Sequence, residues 1–331
     1  MTLSNKTILI TGGTGSFGQK FVHTLYHEHD PKVIRIFSRG ELLQYQMAQK
    51  FSFDKSDKMR FFIGDVRDRE RLYRAMKGVD IVIHAAALKQ IVIAEYNPIE
   101  AVKTNVLGTI NVIDAAIDND VEKVILVSTD KAVNPANLYG ATKLCAEKLF
   151  IQANSYSGGG KTKFSCVRYG NVIGSRGSVL PLFREQAKTN ELTITHKEMT
   201  RFWITLEQGV KTVVESIERM HGGEIFIPKI PSVKIIDLAK IIAPKAKIKI
   251  IGMRAGEKLH EILISKEEAR RTKELADHFI IEPEHPFWDK NNSHKGKTLP
   301  PDFEYASNKN KQRLNLAQIK HLLLTLEGTH A

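Results

Sequence analysis

An apolar strand pattern near the start of the chain runs directly into a glycine-rich turn, and the turn opens a helical pattern. Residues 7–10 form the strand, TGGTGSFG spans residues 11–18, and apolar residues at helical spacing follow. In such a unit the first glycine permits the tight turn, the second lets a pyrophosphate approach the backbone, and the third lets helix and strand pack closely. A dinucleotide at the helix N-terminus is therefore expected. The expected contacts are Thr11, Gly12, Thr14, Gly15, Ser16, Phe17 and Gly18.

Strand and helix patterns continue to alternate up to about residue 170, which predicts a parallel, doubly wound α/β sheet of the Rossmann type. Beyond that point the simple alternation breaks down. We therefore expect a dinucleotide-binding domain at residues 1–170, with residues 201–226 packing back onto it. Residues 171–200 and 227–331 are expected to form a smaller α/β substrate-binding region.

The end of the second predicted strand indicates which dinucleotide binds. Ser38 and Arg39 stand where a site for a free ribose 2′-hydroxyl usually has an acid, and a guanidinium suits the 2′-phosphate of NADP. Arg39 could equally be a surface arginine. Asp65 could accept a hydrogen bond from an adenine amine, or it could cap the next helix. The remaining expected cofactor contacts are Val66, Ala85, Ala86 and Ala87.

The stretch VSTDKAVNPANLYGATK, residues 127–143, concentrates an acid, two amines and a phenol. Tyr139 and Lys143 share one face if the segment around them is helical. A nearby ammonium lowers the pKa of a phenol and makes it a usable base, although this spacing more often marks a solvated helix face. Thr129, Asp130 and Lys131 follow a predicted buried strand, at the sheet edge where open α/β sheets bind ligands.

Composition excludes several classes of protein. The formal charge of +12, with 49 Lys+Arg against 37 Asp+Glu, permits nucleic-acid binding, but no recognition motif accompanies it and a polyanionic small substrate suits it equally. The two cysteines, Cys145 and Cys166, give no disulfide framework. No stretch is apolar for the length that a bilayer needs. We therefore expect a cytoplasmic protein that binds neither nucleic acid nor membrane.

Together these motifs resemble the extended short-chain dehydrogenase/reductase family over nearly the whole chain. The closer resemblance is to the UDP-N-acetylglucosamine 4,6-dehydratases (inverting), which open pseudaminic acid synthesis. It is carried by IGDVRD, IAEYNP, STDKAVNPANLYGATKL, RYGNVIGSRGS, MTRFW, RMHGGEIFIPKIPS and RAGEKLHE. The resemblance implies bound NADP, UDP-N-acetylglucosamine as substrate, a 4-keto-6-deoxy product inverted at C5, a homo-hexamer and no metal.

The resemblance also implies a role for each catalytic residue. Tyr139 takes the proton of the C4 hydroxyl, and Lys143 holds the ribose and lowers the pKa of Tyr139. Lys131 removes the C5 proton, Asp130 protonates the departing C6 hydroxyl, and Thr129 binds the C4 oxygen. The expected substrate contacts are Lys89, Asn105, Asn171, Arg201, Arg254 and Glu257. A glycine turn carrying Arg254 suits a diphosphate, although a plain basic loop is an equal alternative.

Several positions depart from the expected family pattern. Gln90 and Val92 stand where His and Pro are usual, Gly40 and His196 each replace an expected Asp, and Arg313 replaces an aromatic residue. None of these is a catalytic position, so they bear on sugar selectivity. The alternatives are a dehydratase that retains the C5 configuration, a UDP-sugar 4-epimerase, and a non-enzymatic NADP-binding regulator. The Asp130–Lys131 pair argues against the epimerase.

Overall fold

The computed structural model describes residues 3–51, 58–158, 162–175, 177–286, 288 and 293–328. Its helices are α1 (Ser16–Glu28), α2 (Glu41–Lys50), α3 (Arg69–Met76), α4 (Ile91–Tyr96), α5 (Pro98–Val102), α6 (Gly108–Asp118), α7 (Leu138–Tyr156), α8 (Val179–Ala187), α9 (Leu206–Arg219), α10 (Ile235–Ile242), α11 (Lys266–Ala269) and α12 (Leu316–Gly328). Its strands are β1 (Thr7–Thr11), β2 (Val33–Ser38), β3 (Met59–Ile63), β4 (Ile81–His84), β5 (Lys123–Thr129), β6 (Lys163–Tyr169), β7 (Asn171–Val172), β8 (Glu191–Ile194), β9 (Thr200–Ile204), β10 (Ile225–Pro228), β11 (Ser232–Lys234), β12 (Lys247–Ile250), β13 (Ile262–Ile264), β14 (Thr272–Glu274), β15 (His278–Ile281), β16 (Lys297–Thr298) and β17 (Tyr305–Ala306).

The main sheet has ten strands in the order β16-β14-β15-β10-β6-β5-β4-β1-β2-β3. From β3 to β10 all neighbouring strands are parallel, with helices between them in the chain. This order confirms the predicted Rossmann-type doubly wound sheet. From β1 the strand order proceeds to β3 on one side and from β4 to β10 on the other, so the topological switch point lies between β1 and β4. Ligands of such sheets bind there, at the carboxyl ends of the strands.

Burial explains why the central strands form where the sequence predicted them. Every residue of β1 and of β4 is buried, because helices cover both faces of a parallel sheet. The helix α7 is held to β6 by an ion cluster in which Arg168 and Glu147 are buried. The Arg168 guanidinium lies 2.6 Å from Glu147 and 2.9 Å from the partly exposed Glu268. Since α7 carries Tyr139 and Lys143, this cluster fixes the helix relative to the sheet.

The carboxyl-terminal half divides differently from the expected boundaries. Strands β14, β15 and β16 extend the main sheet by antiparallel pairing, although we expected residues 227–331 to lie wholly in the substrate region. Within residues 201–226, α9 packs against α1 and β10 pairs with β6, whereas β9 belongs to a separate sheet with β7 and β11. Strands this short are defined by tertiary pairing, so periodicity could not assign them.

A second hydrophobic core supports the smaller region. It includes Leu180, Phe183, Trp203 and Leu238, and α12 closes it with Ile319 and Leu323. Strands β8 and β12 pair in parallel beside it. No helix among the described residues is long and apolar enough to cross a membrane.

Candidate active site

The glycine turn after β1 forms a cradle that side chains would fill. Gly12 has φ +70°, and a Cβ there would lie 2.9 Å from Ala86 Cα, so the turn approaches the segment after β4 closely. A Cβ on Gly18 would lie 2.5 Å from Gly13 Cα. Gly15 is the N-cap of α1 and makes no side-chain cap, which leaves the first amides of a long helix directed at the turn. These features fit the pyrophosphate of a dinucleotide.

The residues predicted to bind the ribose and adenine of the dinucleotide lie at the carboxyl ends of β2 and β3. The Arg39 side chain is 55% exposed, and its guanidinium lies 3.6 Å from Asp65 Oδ2. Gln44 Nε2 donates to Ser38 O at 2.9 Å and to Ser38 Oγ at 3.0 Å. Arg39 is therefore placed where a 2′-phosphate could reach it, beside the backbone at the end of β2.

Asp65 has a partner that the sequence reasoning missed. Arg67 donates to its Oδ2 from Nε at 3.0 Å and from the terminal nitrogen at 2.7 Å. Burial opposes ionisation of Asp65, but hydrogen bonds and charge from Arg67, with the charge of Arg39, outweigh it and lower the pKa. The expected contact with an adenine amine stays a prediction.

Thr129 ends β5 and Asp130 begins a tight 3-10 turn, so their side chains emerge together at the carboxyl edge of the sheet. Asp130 is fully buried, and its Oδ1 accepts from Thr129 Oγ1 at 3.0 Å and from Lys131 Nζ at 3.0 Å. Its Oδ2 has no hydrogen-bond partner in the described part of the chain. Burial raises the pKa of Asp130 against the opposing charge of Lys131, which favours the neutral carboxyl.

Lys131 has a second carboxyl neighbour, Glu261, which the sequence reasoning did not single out. Glu261 is 2% exposed, and its Oε1 lies 3.5 Å from Lys131 Nζ and 3.5 Å from Arg201 Nε. Burial lowers the pKa of Lys131, but the charges of Asp130 and Glu261 reverse this and raise it. The motif RAGEKLHE, which ends at Glu261, was the one signal that could have found it.

Tyr139 and Lys143 share the first turns of α7, which Asn137 caps by accepting from Gly140 N at 2.8 Å. A Cβ on Gly140 would collide with the Lys131 carbonyl oxygen, so α7 packs tightly on the 3-10 turn. Lys143 Nζ donates to Val127 O at 2.9 Å, and burial lowers the pKa of Lys143 to about 8. The glycine therefore brings the Tyr139 segment against the Asp130–Lys131 segment.

The acidity of Tyr139 differs from our expectation. Burial raises the pKa of Tyr139 to about 12, and the charge of Lys131 and a hydrogen bond with Thr129 only partly oppose this. We expected Lys143 to lower this pKa, but its ammonium is bound to a backbone carbonyl and the main lowering charge is that of Lys131. The cause is the depth of the site, which spacing along a helix does not reveal.

The predicted substrate residues are placed unequally. Asn105 is 2% exposed, and its amide bonds to both backbone groups of Leu88 and to Thr142. Asn171 Oδ1 is buried and lacks a partner among the described residues, as a ligand-binding amide would. Arg201 faces Glu261, with 3.5 Å between Arg201 Nε and Glu261 Oε1. Direct contacts of these residues with a substrate stay predictions.

The glycine turn after β12 keeps its arginine at the surface, and the role of this turn in substrate binding stays a prediction. Lys89 and Arg254 are exposed, and Arg254 N donates to Glu257 Oε2 at 3.3 Å. Lys258 Nζ instead turns inward and donates to Val133 O. Two departures from the family pattern, His196 and Arg313, line one polar cavity with Thr200 and His260.

Fold and site together define a Rossmann-type protein of the extended short-chain dehydrogenase/reductase class. A sequence model of the polysaccharide biosynthesis protein family matches residues 8–283, and the chain belongs to this family. This confirms the resemblance stated from the motifs.

Known proteins similar to the chain carry different names. A protein of Campylobacter jejuni subsp. jejuni serotype O:2 is 52% identical, over 98% of this chain and 99% of that one, and is named UDP-N-acetylglucosamine 4,6-dehydratase (inverting). A Rickettsia massiliae protein named UDP-glucose 4-epimerase is 44% identical over 98% of this chain and 96% of its own length. The X-ray structure of Pen from Bacillus thuringiensis superposes with a TM-score of 0.89 at 39% identity, covering 98% of this chain and 100% of that one.

Proposed function

We propose that the protein is an NADP-dependent lyase that removes water from UDP-N-acetylglucosamine across C5 and C6 and inverts C5. Its product is a UDP-2-acetamido-2,6-dideoxy-hexos-4-ulose for glycan synthesis of the pseudaminic acid type. The observation that carries the proposal is the buried Asp130–Lys131 pair, with 3.0 Å between Asp130 Oδ1 and Lys131 Nζ, beside Tyr139 at the carboxyl edge of β5. The Campylobacter relative of the same name supports the substrate and the stereochemistry.

Oxidation at C4 begins the proposed reaction. A bound nicotinamide would supply the hydride chemistry that the reaction needs at C4 and at C6. Tyr139 takes the proton of the C4 hydroxyl. The Thr129 hydroxyl, which donates its single proton to Asp130 Oδ1 at 3.0 Å, redirects that proton to bind the C4 oxygen. Lys143, held by Val127 O, orients the ribose.

Elimination of water follows because a C4 ketone acidifies the C5 hydrogen. Lys131 first passes a proton to Asp130, 3.0 Å away, and as the neutral amine it then takes the C5 proton. The electron pair of the C5–H bond forms the C5–C6 double bond as the C6–O6 bond breaks. Asp130 gives its proton to O6, and water leaves. A carboxyl that burial keeps neutral, with one oxygen unpartnered, suits this acid role. Addition of a hydride at C6 and return of a proton to the opposite face of C5 then saturate the double bond and complete the inversion.

The decisive experiment incubates the protein with UDP-N-acetylglucosamine and NADP and examines the product by mass spectrometry and NMR. We expect loss of one water, a C6 methyl group, and inverted configuration at C5 with deuterium there when the reaction runs in deuterated water. Original configuration would instead identify a retaining dehydratase. A non-enzymatic regulator would return the sugar unchanged.

A UDP-sugar 4-epimerase is the second candidate, because the Rickettsia relative carries that name at 44% identity. An epimerase returns the hydride to C4 and has no step for an acid–base pair at C5 and C6. A product of unchanged mass with inverted C4 would therefore replace the dehydratase proposal.

We also place the enzyme in the cytoplasm, since both Cys145 and Cys166 are free thiols.

Arg39 is expected to select NADP over NAD. The Arg39→Ala variant should bind NADP about 10- to 100-fold more weakly, because one or two charge-assisted hydrogen bonds are lost. Its affinity for NAD should stay within about threefold of the wild-type value. Titration calorimetry with both cofactors measures this. Arg60→Ala is the matched control, since Arg60 lies near the amino end of β3. Equal weakening for NAD and NADP would contradict the role of Arg39.

We further propose that the protein assembles as a homo-hexamer. Helices α4 and α5 expose a run of large apolar side chains, and an exposed apolar patch of this kind is typical of a contact between proteins. Its most exposed members are Val92 at 75%, Tyr96 at 86% and Ile99 at 67%. The Tyr96→Glu variant should elute as a smaller species in size-exclusion chromatography with light scattering, whereas Tyr45→Glu on α2 should not. If the wild-type protein itself eluted as a monomer, that result would contradict the hexamer proposal.

A further inference from the structure

The proposed base, Lys131, lies between two buried carboxyl groups, and the dehydration uses only one of them. Asp130 and Glu261 contribute oxygens 3.0 Å and 3.5 Å from Lys131 Nζ. Each carboxyl also has a buried oxygen with no hydrogen-bond partner in the described chain, Asp130 Oδ2 and Glu261 Oε2. A buried acid is costly to keep charged unless cations compensate it, so the presence of Glu261 calls for a function.

Glu261 is held rigidly in this position. Its backbone amide donates to Ser307 Oγ at 2.9 Å, and its carbonyl accepts from Ser307 N at 2.8 Å, so the end of β17 fixes the residue just before β13. The side chain is therefore anchored from a different part of the fold than Lys131, which sits on the 3-10 turn after β5.

The pKa values of the two carboxyl groups shift in opposite directions. Burial raises the pKa of Asp130, whereas the charges of Lys131, Arg201 and Lys258 overcome burial and lower the pKa of Glu261. Among the described residues, these groups and Tyr139 are the titratable side chains whose charges interact with Lys131. Glu261 therefore favours the anionic form more than Asp130 does, and Asp130 is the carboxyl better suited to carry a proton.

We propose that Glu261 is the positioning residue for the catalytic lysine: it holds Lys131 Nζ in place and stabilises the ammonium formed when Lys131 takes the C5 proton. This rests on the proposed dehydration. Because Glu261 balances the new positive charge, Asp130 is free to keep its proton until O6 departs with it. Arg201 shares the same Glu261 oxygen and so moderates the hold of Glu261 on Lys131.

The Glu261→Gln variant tests the proposal, because it keeps the shape and removes the charge. A carboxylate raises the pKa of a neighbouring ammonium, so its loss lowers the pKa of Lys131. The acid limb of the kcat/KM profile should therefore move to lower pH by about one to three units. The isotope effect for substrate deuterated at C5 should increase, because C5 proton removal becomes slower, while that for substrate deuterated at C4 should not increase. Glu261→Asp should fall between wild type and Glu261→Gln.

Glu224→Gln is the matched control, since Glu224 is a fully buried carboxylate bonded to Ser165 and His294 just before β10. The acid limb of its kcat/KM profile should lie at the same pH as that of the wild-type protein. A folded Glu261→Gln protein with an unmoved limb and an unchanged C5 isotope effect would overturn the positioning role. If that variant does not fold, an unmoved limb in Glu261→Asp overturns it. Failure of the dehydration proposal is separate, because wild-type protein would then release no water.

Discussion

Replacing Lys131 by methionine is expected to reduce water loss from UDP-N-acetylglucosamine by about 10²- to 10⁴-fold, the usual contribution of a general base. Oxidation at C4 should survive at a reduced rate, because Tyr139 and Lys143 on α7 are kept but the charge of Lys131 that lowers the pKa of Tyr139 is lost. The reduced nicotinamide should therefore accumulate on addition of substrate, since the step that consumes it comes after elimination. Stopped-flow absorbance of the cofactor and mass spectrometry of the sugar measure the two effects together.

Two further variants separate charge from basicity. Lys131→Arg keeps a cation between Asp130 and Glu261 but cannot lose its proton near neutral pH, so it should fold well and still fail to eliminate water. Lys123→Met is the control on β5, the strand that leads to Lys131, because Lys123 begins β5 at the edge remote from the site and donates to Ile217 O. Full dehydration by Lys131→Met would remove Lys131 as the C5 base.

The nucleotide-binding half could be predicted because its signals are local. Apolar strands such as β1 and the glycines at Gly12 and Gly18 report burial and backbone shape within a few residues. The parallel sheet then follows from the alternation of strand and helix. The short antiparallel strands β14 and β16 carry no such signal, because their partners lie elsewhere in the sequence.

The candidate site likewise contains residues whose association could be predicted from the sequence and residues whose association could not. Asp130, Lys131 and Tyr139 stand close together in the sequence, so their association could be expected. Glu261 joins them only through the tertiary packing of β13 beside the 3-10 turn. The direction of the Tyr139 pKa was likewise beyond the sequence, because it depends on how deeply the phenol is enclosed.

Tyr139→Phe is expected to stop the reaction one step earlier than Lys131→Met. Without the phenol oxygen the C4 hydroxyl has no base, so the reduced nicotinamide should not appear, and elimination should also be lost because no ketone forms to acidify C5. The expected loss in kcat is about 10²- to 10⁴-fold. Folding should change little, since only one hydroxyl and its hydrogen bond with Thr129 are removed, about 0.5–1.5 kcal/mol.

The pH dependence of oxidation provides an independent check on Tyr139. Because burial raises its pKa to about 12, the phenol holds its proton at neutral pH, and the rate of C4 oxidation should increase as the pH rises below that value. Tyr156→Phe, at the exposed end of the same helix, should keep both the rate and its rise. If Tyr139→Phe still reduced the nicotinamide, or if oxidation in wild type fell with rising pH, another group would be the base. Lys131, whose charge already acts on the phenol, would then be the nearest alternative.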